Sequence, residues 1–178
     1  MSFGIQAEIL SGLAGLQKSE NVPALPVEPQ IIVEALQEFS ECVRYLNTRR
    51  SKGAVINLKS EADVQDVVFL MLRPWIHDLV PENPTGKTAN RYAFGDFFSK
   101  SAKTTIEVKF IRDKDHGKNI IGELSEDIEL YRDHCDHLVF FIYDPDSNIP
   151  DGDALKRAIT VERMYAGRRL HCQLIIRP

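Results

Sequence analysis

The sequence predicts an α/β protein with a mixed central sheet flanked by helices, and three stretches predict it. Residues 91–111 form two runs rich in aromatic and β-branched residues around the polar tip 99–103, which indicates a β-hairpin. Residues 118–134 carry apolar side chains at helical spacing, and residues 138–143 are an apolar run typical of a strand buried on both faces. The second hairpin strand, the helix and the buried strand therefore predict a βαβ unit with parallel strands and a right-handed crossover.

The N-terminal part predicts a helical extension over residues 1–50, ahead of a main domain over residues 51–178. Apolar positions in 3–17 indicate a marginal helix interrupted by two glycines, and 21–29 contains three prolines and indicates an extended linker. Residues 30–47 repeat apolar side chains every three to four positions, which predicts an amphipathic helix. These segments either pack against the main domain or form an arm for dimerisation or for a protein partner.

The remaining elements follow from start and stop signals. A short strand or extended connection is predicted over 54–58, and Ser60, with Asp63 three residues later, predicts the start of a helix that ends near Pro74. Residues 81–89 contain two prolines and a glycine and predict a loop. Near the C-terminus we expect a helix over 154–164, with Asp153 as its cap, and a last strand over 170–176.

The predicted hairpin contains the charged residues that could form a catalytic or metal-binding site. If Ser99 pairs with Thr104 beside the tip, Asp96 falls directly opposite Glu107, about 5 Å away, and Lys109 shares a face with Glu107. Like charges facing each other weaken a ladder, so two facing acids require an explanation. Carboxylate oxygens suit a divalent cation such as Mg²⁺, and a neighbouring ammonium can orient water or offset charge on a phosphate. The plainer interpretation is a solvated sheet face with a cross-strand Glu–Lys pair.

The charge distribution favours attraction of nucleic acid by one basic region rather than by the net charge of the whole protein. The net charge of −4 counts against a protein that coats nucleic acid. Residues 86–118 are nevertheless rich in cations. This basic surface would attract phosphates to the neighbourhood of the acidic cluster. The alternative is that the cations are grouped by chance. These cations include Lys87, Arg91, Lys100, Lys103, Lys109, Arg112, Lys114 and Lys118.

Other classes of site have little support. The apolar runs are too short to cross a bilayer and no signal core is evident, so we expect no membrane association and a cytoplasmic location. The three cysteines are widely spaced and fit reduced structural thiols. The histidines show no metal-ligand spacing with one another or with cysteine beyond the grouping His134, Cys135 and His137, which lies at a predicted helix–strand junction.

The acidic and basic residues occur in a recognisable order. Glu61 begins a helix, Asp96 lies on one strand, the run Glu107-Val108-Lys109 lies on the next, and the crossover helix follows with the stretch 123–131. This order resembles the PD-(D/E)xK nuclease superfamily, which has the restriction-endonuclease-like fold. More narrowly, residues 54–160 resemble the C-terminal nuclease-like domain found with GATC-cutting restriction enzymes of the Dpn and Mbo type. In this sequence Gly95 replaces the proline that usually precedes the aspartate.

The resemblance implies roles for individual residues. Asp96, Glu107 and the carbonyl of Val108 would bind Mg²⁺ or Mn²⁺, and Lys109 would orient or activate the attacking water. Glu61 would complete the metal shell from its helix. The residues implied to support this site are Gln65, Asp127 and Tyr131. The charge distribution, rather than the resemblance, gives the residues expected to contact nucleic acid: Lys87, Arg91, Lys100, Lys103, Arg112, Lys114 and Lys118.

The functional hypothesis that results is a metal-dependent endonuclease that hydrolyses DNA, in bacterial defence or in a mobile-element system. One alternative is a non-catalytic, nuclease-like module that assembles through its N-terminal helices. Another is cleavage of RNA, since the same residues would serve either polymer.

Overall fold

The fold was analysed in a computed structural model that describes residues 28–48, 56–88 and 91–178, with only the backbone described for 82–88 and 91–94. The predicted helix over 3–17 and the predicted strand start at 54 and 55 lie outside the described residues. Among the residues described, no helix combines the length and the apolar character needed to cross a bilayer. The helices are α1 (Pro29–Gln37), α2 (Phe39–Thr48), α3 (Glu61–Leu72), α4 (Lys114–Tyr131) and α5 (Gly152–Ile159).

A six-stranded mixed sheet forms the centre of the fold. Its strands are β1 (Leu79–Thr88), β2 (Arg91–Ser99), β3 (Thr104–Phe110), β4 (His137–Tyr143), β5 (Glu162–Tyr165) and β6 (Arg168–Arg177). The strand order is β1-β2-β3-β4-β6-β5. The pairs β3–β4 and β4–β6 are parallel and the other neighbours are antiparallel. The mixed sheet and the parallel βαβ unit, in which α4 joins β3 to β4, are confirmed, while the hand of the crossover stays a prediction.

Helices cover both faces of the sheet, and each face has its own core. The central strand β4 is buried on both sides because its alternate side chains enter the two cores, as the apolar run predicted. Helices α1, α2 and α3 close one core, which includes Leu36, Val68, Ile106, Val139 and Phe141. Helices α4 and α5 close the other, which includes Leu124, Ile128, Phe140, Leu155 and Leu174.

Helices α1 and α2 belong to the first core. Ile32, Leu36 and Phe39 are fully buried in it, and Nε of Arg177 donates a hydrogen bond to the carbonyl of Gln37 at 2.9 Å. The single predicted helix over 30–47 is two helices, with a turn at Glu38 between them. The boundary at residue 50 and a partner role for the N-terminal helices stay predictions.

The predicted loop over 81–89 is wrong for the residues described, because β1 extends from Leu79 to Thr88 and pairs with β2. Strand β1 is at the edge of the sheet and has β2 as its neighbour. A proline is tolerated there, since its missing N–H need not serve a second strand. The register shifts between Pro84 and Gly86, as expected for a bulge.

The C-terminal prediction is also corrected. The helix that we expected over 154–164 is α5, which begins at Gly152 and ends at Ile159, and its cap is Asp151 rather than Asp153: Oδ1 of Asp151 accepts a hydrogen bond from the Ala154 amide at 2.8 Å. Residues Glu162–Tyr165 instead form β5, which pairs with β6 through a turn at Ala166 and Gly167. Both turn residues have positive φ, 48° and 84°, as a two-residue hairpin of the primed type requires.

Helix α4 begins earlier than the expected residue 118. It starts at Lys114 because Oδ1 of Asp113 accepts a hydrogen bond from the His116 amide at 2.8 Å and caps the first turn. Its buried stripe matches the predicted positions except Ile121, which is 47% exposed.

Candidate active site

The predicted register of the hairpin is confirmed over three pairs: Ser99 with Thr104, Phe98 with Thr105 and Phe97 with Ile106. Pairing between β2 and β3 ends there, so the expectation that Asp96 lies in the ladder directly opposite Glu107 is wrong. Instead, Oδ2 of Asp96 accepts a hydrogen bond from the Val108 amide at 2.6 Å. The Val108 amide lies beyond the last pair of the β2–β3 ladder, and it therefore donates its hydrogen bond to the Asp96 side chain instead of to the backbone of β2.

Gly95 lies just beyond the last pair between β2 and β3, which is Phe97 with Ile106. A Cβ atom added to Gly95 would lie 2.6 Å from Cγ2 of the buried Thr105, which is closer than real contacts allow. A side chain at position 95 would therefore push β2 and β3 apart next to Asp96. This close approach is a physical reason for glycine before the aspartate in this chain.

Asp96 is also held from α3. The predicted cap is confirmed as a capping box between Ser60 and Asp63, which begins the helix at Glu61. One turn later Nε2 of Gln65 donates a hydrogen bond to Oδ1 of Asp96 at 2.9 Å. Burial, together with the negative charge of Glu61, raises the pKa of Asp96 to about 6 against the lowering effect of the Val108 amide. Glu61 and Gln65 therefore both act on Asp96.

Glu107 is buried, with 7% of its surface exposed. Its Oε1 accepts a hydrogen bond from Nζ of Lys109 at 2.9 Å, and its Oε2 accepts one from the hydroxyl of Tyr131 at 3.2 Å. Burial, together with the neighbouring Asp96 carboxylate, raises the pKa of Glu107 to about 8, although Lys109 opposes the rise. Two acids that both resist ionisation thus lie beside each other at the end of the hairpin ladder.

Lys109 lies between two carboxylates. Its Nζ is 2.9 Å from Oε1 of Glu107 and 3.0 Å from Oδ2 of Asp127. Burial opposes the charge of the ammonium, but Glu107 and Asp127 outweigh burial and raise the pKa of Lys109 above its ordinary value. In the protein without metal this lysine is therefore a cation rather than a base.

Asp127 and Tyr131 come from α4, one turn apart, and reach the same cluster. The pKa of Asp127 is raised by burial despite its contact with Lys109. Burial and the charge of Glu107 also raise the pKa of Tyr131, so its hydroxyl stays a proton donor. The structure thus brings together all three residues expected to support the site: Gln65, Asp127 and Tyr131.

The donor set fits a hard divalent cation only with help from backbone and water. No group of three or more histidine, cysteine, aspartate or glutamate side chains in the described part of the chain is arranged to hold a metal ion. Asp96, Glu107 and the carbonyl of Val108 supply oxygen donors, which Mg²⁺ accepts together with several waters. The pKa values of the two acids are raised first by burial and then by neighbouring carboxylates, and a bound cation would offset both effects. The residues are therefore compatible with such an ion.

The basic residues expected to contact nucleic acid separate into groups. Lys100 and Lys103 lie at the hairpin tip, where Lys103 pairs with Asp136 at 3.1 Å. The tip is at the other end of β3 from Lys109, roughly 15–20 Å away at 3.3 Å per residue. Lys114 and Lys118 are exposed on the first turns of α4, and Lys118 pairs with Asp115 at 3.3 Å. The side chains of Lys87 and Arg91 lie outside those described.

Arg112 lies in a cleft of about 440 Å³ beside the acidic cluster. The sequence did not indicate Lys59 or His116 as site residues, because their proximity depends on where α3 and α4 begin. The only local signal was the position of Lys59 directly before the predicted cap Ser60. The cleft is lined by Lys59, Ser60, Glu61, Lys109, Phe110, Arg112, His116 and Glu123.

A mixed sheet between two helical layers, with an aspartate on one strand and a Glu-Val-Lys run on the next, defines the class of restriction-endonuclease-like proteins. The family model of restriction endonucleases of the DpnII-MboI type matches residues 30–178. The chain therefore belongs to the DpnII-MboI restriction endonuclease family, a family of nucleases that cut DNA. Searches of curated proteins and of solved structures gave no match.

Proposed function

We propose that this protein is a metal-dependent endonuclease that hydrolyses phosphodiester bonds in DNA, with Asp96, Glu107 and Lys109 as its catalytic residues. The observation that carries the proposal is the contact set at the end of the hairpin ladder. There Asp96 accepts from the Val108 amide and Glu107 accepts from Lys109, beside the backbone carbonyl between them. Membership of a restriction endonuclease family supports DNA as the substrate.

Each residue has a distinct task in this proposal. Asp96, Glu107 and the carbonyl of Val108 would hold Mg²⁺ or Mn²⁺, with Glu61 extending the shell from α3. When bound, such an ion stabilises negative charge that develops on the phosphoryl group and makes bound water more acidic. Lys109 would hold the attacking water and offset charge on the phosphate, as a cation.

The surrounding residues would keep this geometry. Gln65 orients Asp96 through Oδ1, and Tyr131 orients Glu107 through Oε2. Asp127 holds the ammonium of Lys109 from the crossover helix. We place the activity in the cytoplasm, within bacterial defence or a mobile-element system, because the family consists of restriction endonucleases.

A cleavage assay tests the proposal. Purified protein is incubated with plasmid, linear duplex, single-stranded DNA and RNA, in Mg²⁺, in Mn²⁺ or in chelator. We expect metal-dependent cutting of duplex DNA that is lost in Glu107→Gln and Lys109→Met. Lys156→Met, which changes an exposed lysine on α5, is the control and should cut normally.

The remaining outcomes separate the alternatives. Metal-dependent cutting that survives both substitutions overturns the assigned residues. Cutting of RNA alone favours an RNA nuclease. Absence of cutting on every substrate, together with tight binding to a protein partner, favours a non-catalytic module.

A further inference from the structure

The cleft beside the acidic cluster contains two cations that are not neutralised by an ion pair. It lies between the start of α3 and the start of α4, at the end of β3. Within the described residues, the side chains of Lys59 and Arg112 form neither an ion pair nor a hydrogen bond, and both are exposed. Other exposed basic residues, such as Lys103 and Lys118, are already paired with aspartates. Lys59 and Arg112 are therefore the basic residues lining this cleft that have no ion-pair partner among the described residues.

His116 holds Arg112 in place. The backbone amide of Arg112 donates a hydrogen bond to Nδ1 of His116 at 3.4 Å. Because Nδ1 is the acceptor, the neutral ring carries its hydrogen on Nε2, which lies 3.3 Å from Oε1 of Glu123. The His116 side chain is only 9% exposed. The ring is thus held through Nδ1 alone, because its buried Nε2 has no hydrogen-bond partner among the described residues. Through Nδ1 it orients the backbone from which the Arg112 side chain reaches the cleft.

The two carboxylates of the cleft act on groups other than Lys59 and Arg112. The charge of Glu61 raises the pKa of Asp96. Glu123 lies against the imidazole of His116. The negative charges that act on Lys59 and Arg112 belong to Asp63 and Asp113. Both of these carboxylates accept hydrogen bonds from backbone amides at the helix starts, so Lys59 and Arg112 have no ion-pair partner among the described residues and can bind a ligand of opposite charge.

We propose that Arg112 and Lys59 bind a phosphate of the nucleic-acid strand that neighbours the phosphate being cut, and that His116 is a positioning residue for Arg112. This inference deepens the proposed function and rests on it. Lys109 lines both the acidic cluster and the cleft, so a strand bound at Lys109 continues into the cleft. The volume of the cleft, about 440 Å³, lies within the range of protein sites for small molecules.

Binding without cleavage tests the inference directly. A short DNA duplex is titrated with the protein in chelator, where metal-dependent cutting is absent. Arg112→Gln should weaken binding about tenfold, as expected for one charge-assisted contact. It should also reduce the slope of log K against log salt by about 0.9, the value for one duplex phosphate. The matched control Arg157→Gln, which changes an exposed arginine on α5, should alter neither quantity.

Neutral phosphates identify the contact. Duplexes that each carry one methylphosphonate are compared with the unmodified duplex. At one position close to the cleavage site, neutralisation should weaken binding to the wild type about tenfold and have a clearly smaller effect on Arg112→Gln, in which Lys59 alone still contacts that phosphate. Lys59→Gln should show the same non-additive behaviour at that position.

The role of His116 is tested by rescue. His116→Asn retains an acceptor near the position of Nδ1 and should keep wild-type binding and coupling. His116→Phe retains a ring but loses the acceptor, so it should weaken DNA binding as Arg112→Gln does. The double variant His116→Phe/Arg112→Gln should bind no more weakly than Arg112→Gln alone. Equal behaviour of the two His116 variants would remove the positioning role.

Failure of the inference and failure of the proposed function give different results. If the protein cuts DNA while Arg112→Gln and Lys59→Gln bind normally at every methylphosphonate position, the inference is wrong and the nuclease proposal stands. If the coupling at one phosphate is found but no substrate is cut, the phosphate site stands and the catalytic proposal is wrong. Absence of any DNA binding overturns the inference.

Discussion

Nζ of Lys109 lies 3.0 Å from Oδ2 of Asp127, so a side chain of the crossover helix holds the lysine that β3 presents. The same ammonium contacts Glu107, and the phenol of Tyr131 reaches Glu107 from one turn further along α4. The βαβ unit is therefore a structural support for the candidate site as well as part of the core. Because Lys109 has two acidic partners, removing one of them should change its position without removing its charge.

Asp127→Asn should lower kcat by roughly 10–100-fold with little effect on KM, which is the usual size of effect for residues that orient the groups contacting a metal. The amide cannot balance the ammonium, so Lys109 moves towards Glu107. Steady-state cleavage kinetics give both parameters. Glu126→Gln, at the exposed neighbouring position, is the control. Equal kcat values for wild type and Asp127→Asn would contradict a positioning role.

Without metal, the stability of the protein should fall as the pH rises from about 5.5 to about 8. The pKa of Glu107 is about 8 and that of Asp96 about 6 in the folded state, both above their ordinary values. The folded state then binds more protons than the unfolded state in this window, and its free energy of unfolding falls as those protons are lost. The fall should be on the order of a few kcal/mol. Urea unfolding in chelator measures it, and Glu107→Gln should flatten the profile.

Mg²⁺ should raise the thermal unfolding temperature more at pH 8 than at pH 6. Binding requires the ionised carboxylates of Asp96 and Glu107, and these compete with protons over that range. Thermal unfolding with and without the ion, at both pH values, gives the comparison. In Glu107→Gln the shift caused by Mg²⁺ should be small at either pH. An equal shift in this variant would place the ion elsewhere.

The parts of the fold that the sequence predicted are those determined by local patterns. Side-chain alternation and a polar tip determined the register of the β2–β3 hairpin, and the capping box at Ser60 determined the start of α3. The apolar run of β4 predicted burial on both faces. Each of these features follows from residues within one or two turns of the chain.

The features that the sequence did not predict depend on residues that are distant in the sequence but close in space. Strand β1 contains Pro81 and Pro84, which indicate a loop until its position at the sheet edge is known. The β5–β6 turn uses Ala166 at positive φ, although alanine rarely adopts this conformation. The cleft residues Lys59 and His116 come from the starts of two different helices. No local pattern states that these helix ends meet, so the sequence alone did not reveal the cleft.

The close contact between Gly95 and Thr105 gives a prediction that connects stability with the site. Gly95→Ala should destabilise the protein by roughly 1–3 kcal/mol, because the new methyl group would lie 2.6 Å from Cγ2 of a buried threonine. It should also lower kcat, since the displaced strand carries Asp96. Gly122→Ala in α4 is the matched control: nothing lies within 4 Å of its added Cβ, so it should leave kcat unchanged and stabilise the helix by up to about 1 kcal/mol.

The double variant Gly95→Ala/Thr105→Ser separates this contact from other effects of alanine. Serine lacks Cγ2, the atom that the added methyl group would meet. In the Thr105→Ser background, Gly95→Ala should therefore cost much less stability and kcat than it does in the wild type. Urea unfolding and cleavage kinetics of the four proteins form a double-mutant cycle, and residues in contact typically show coupling of about 0.5–3 kcal/mol. Additive effects would mean that the glycine serves another purpose. Coupled recovery of both quantities would show that the approach of β2 to β3 determines the position of Asp96.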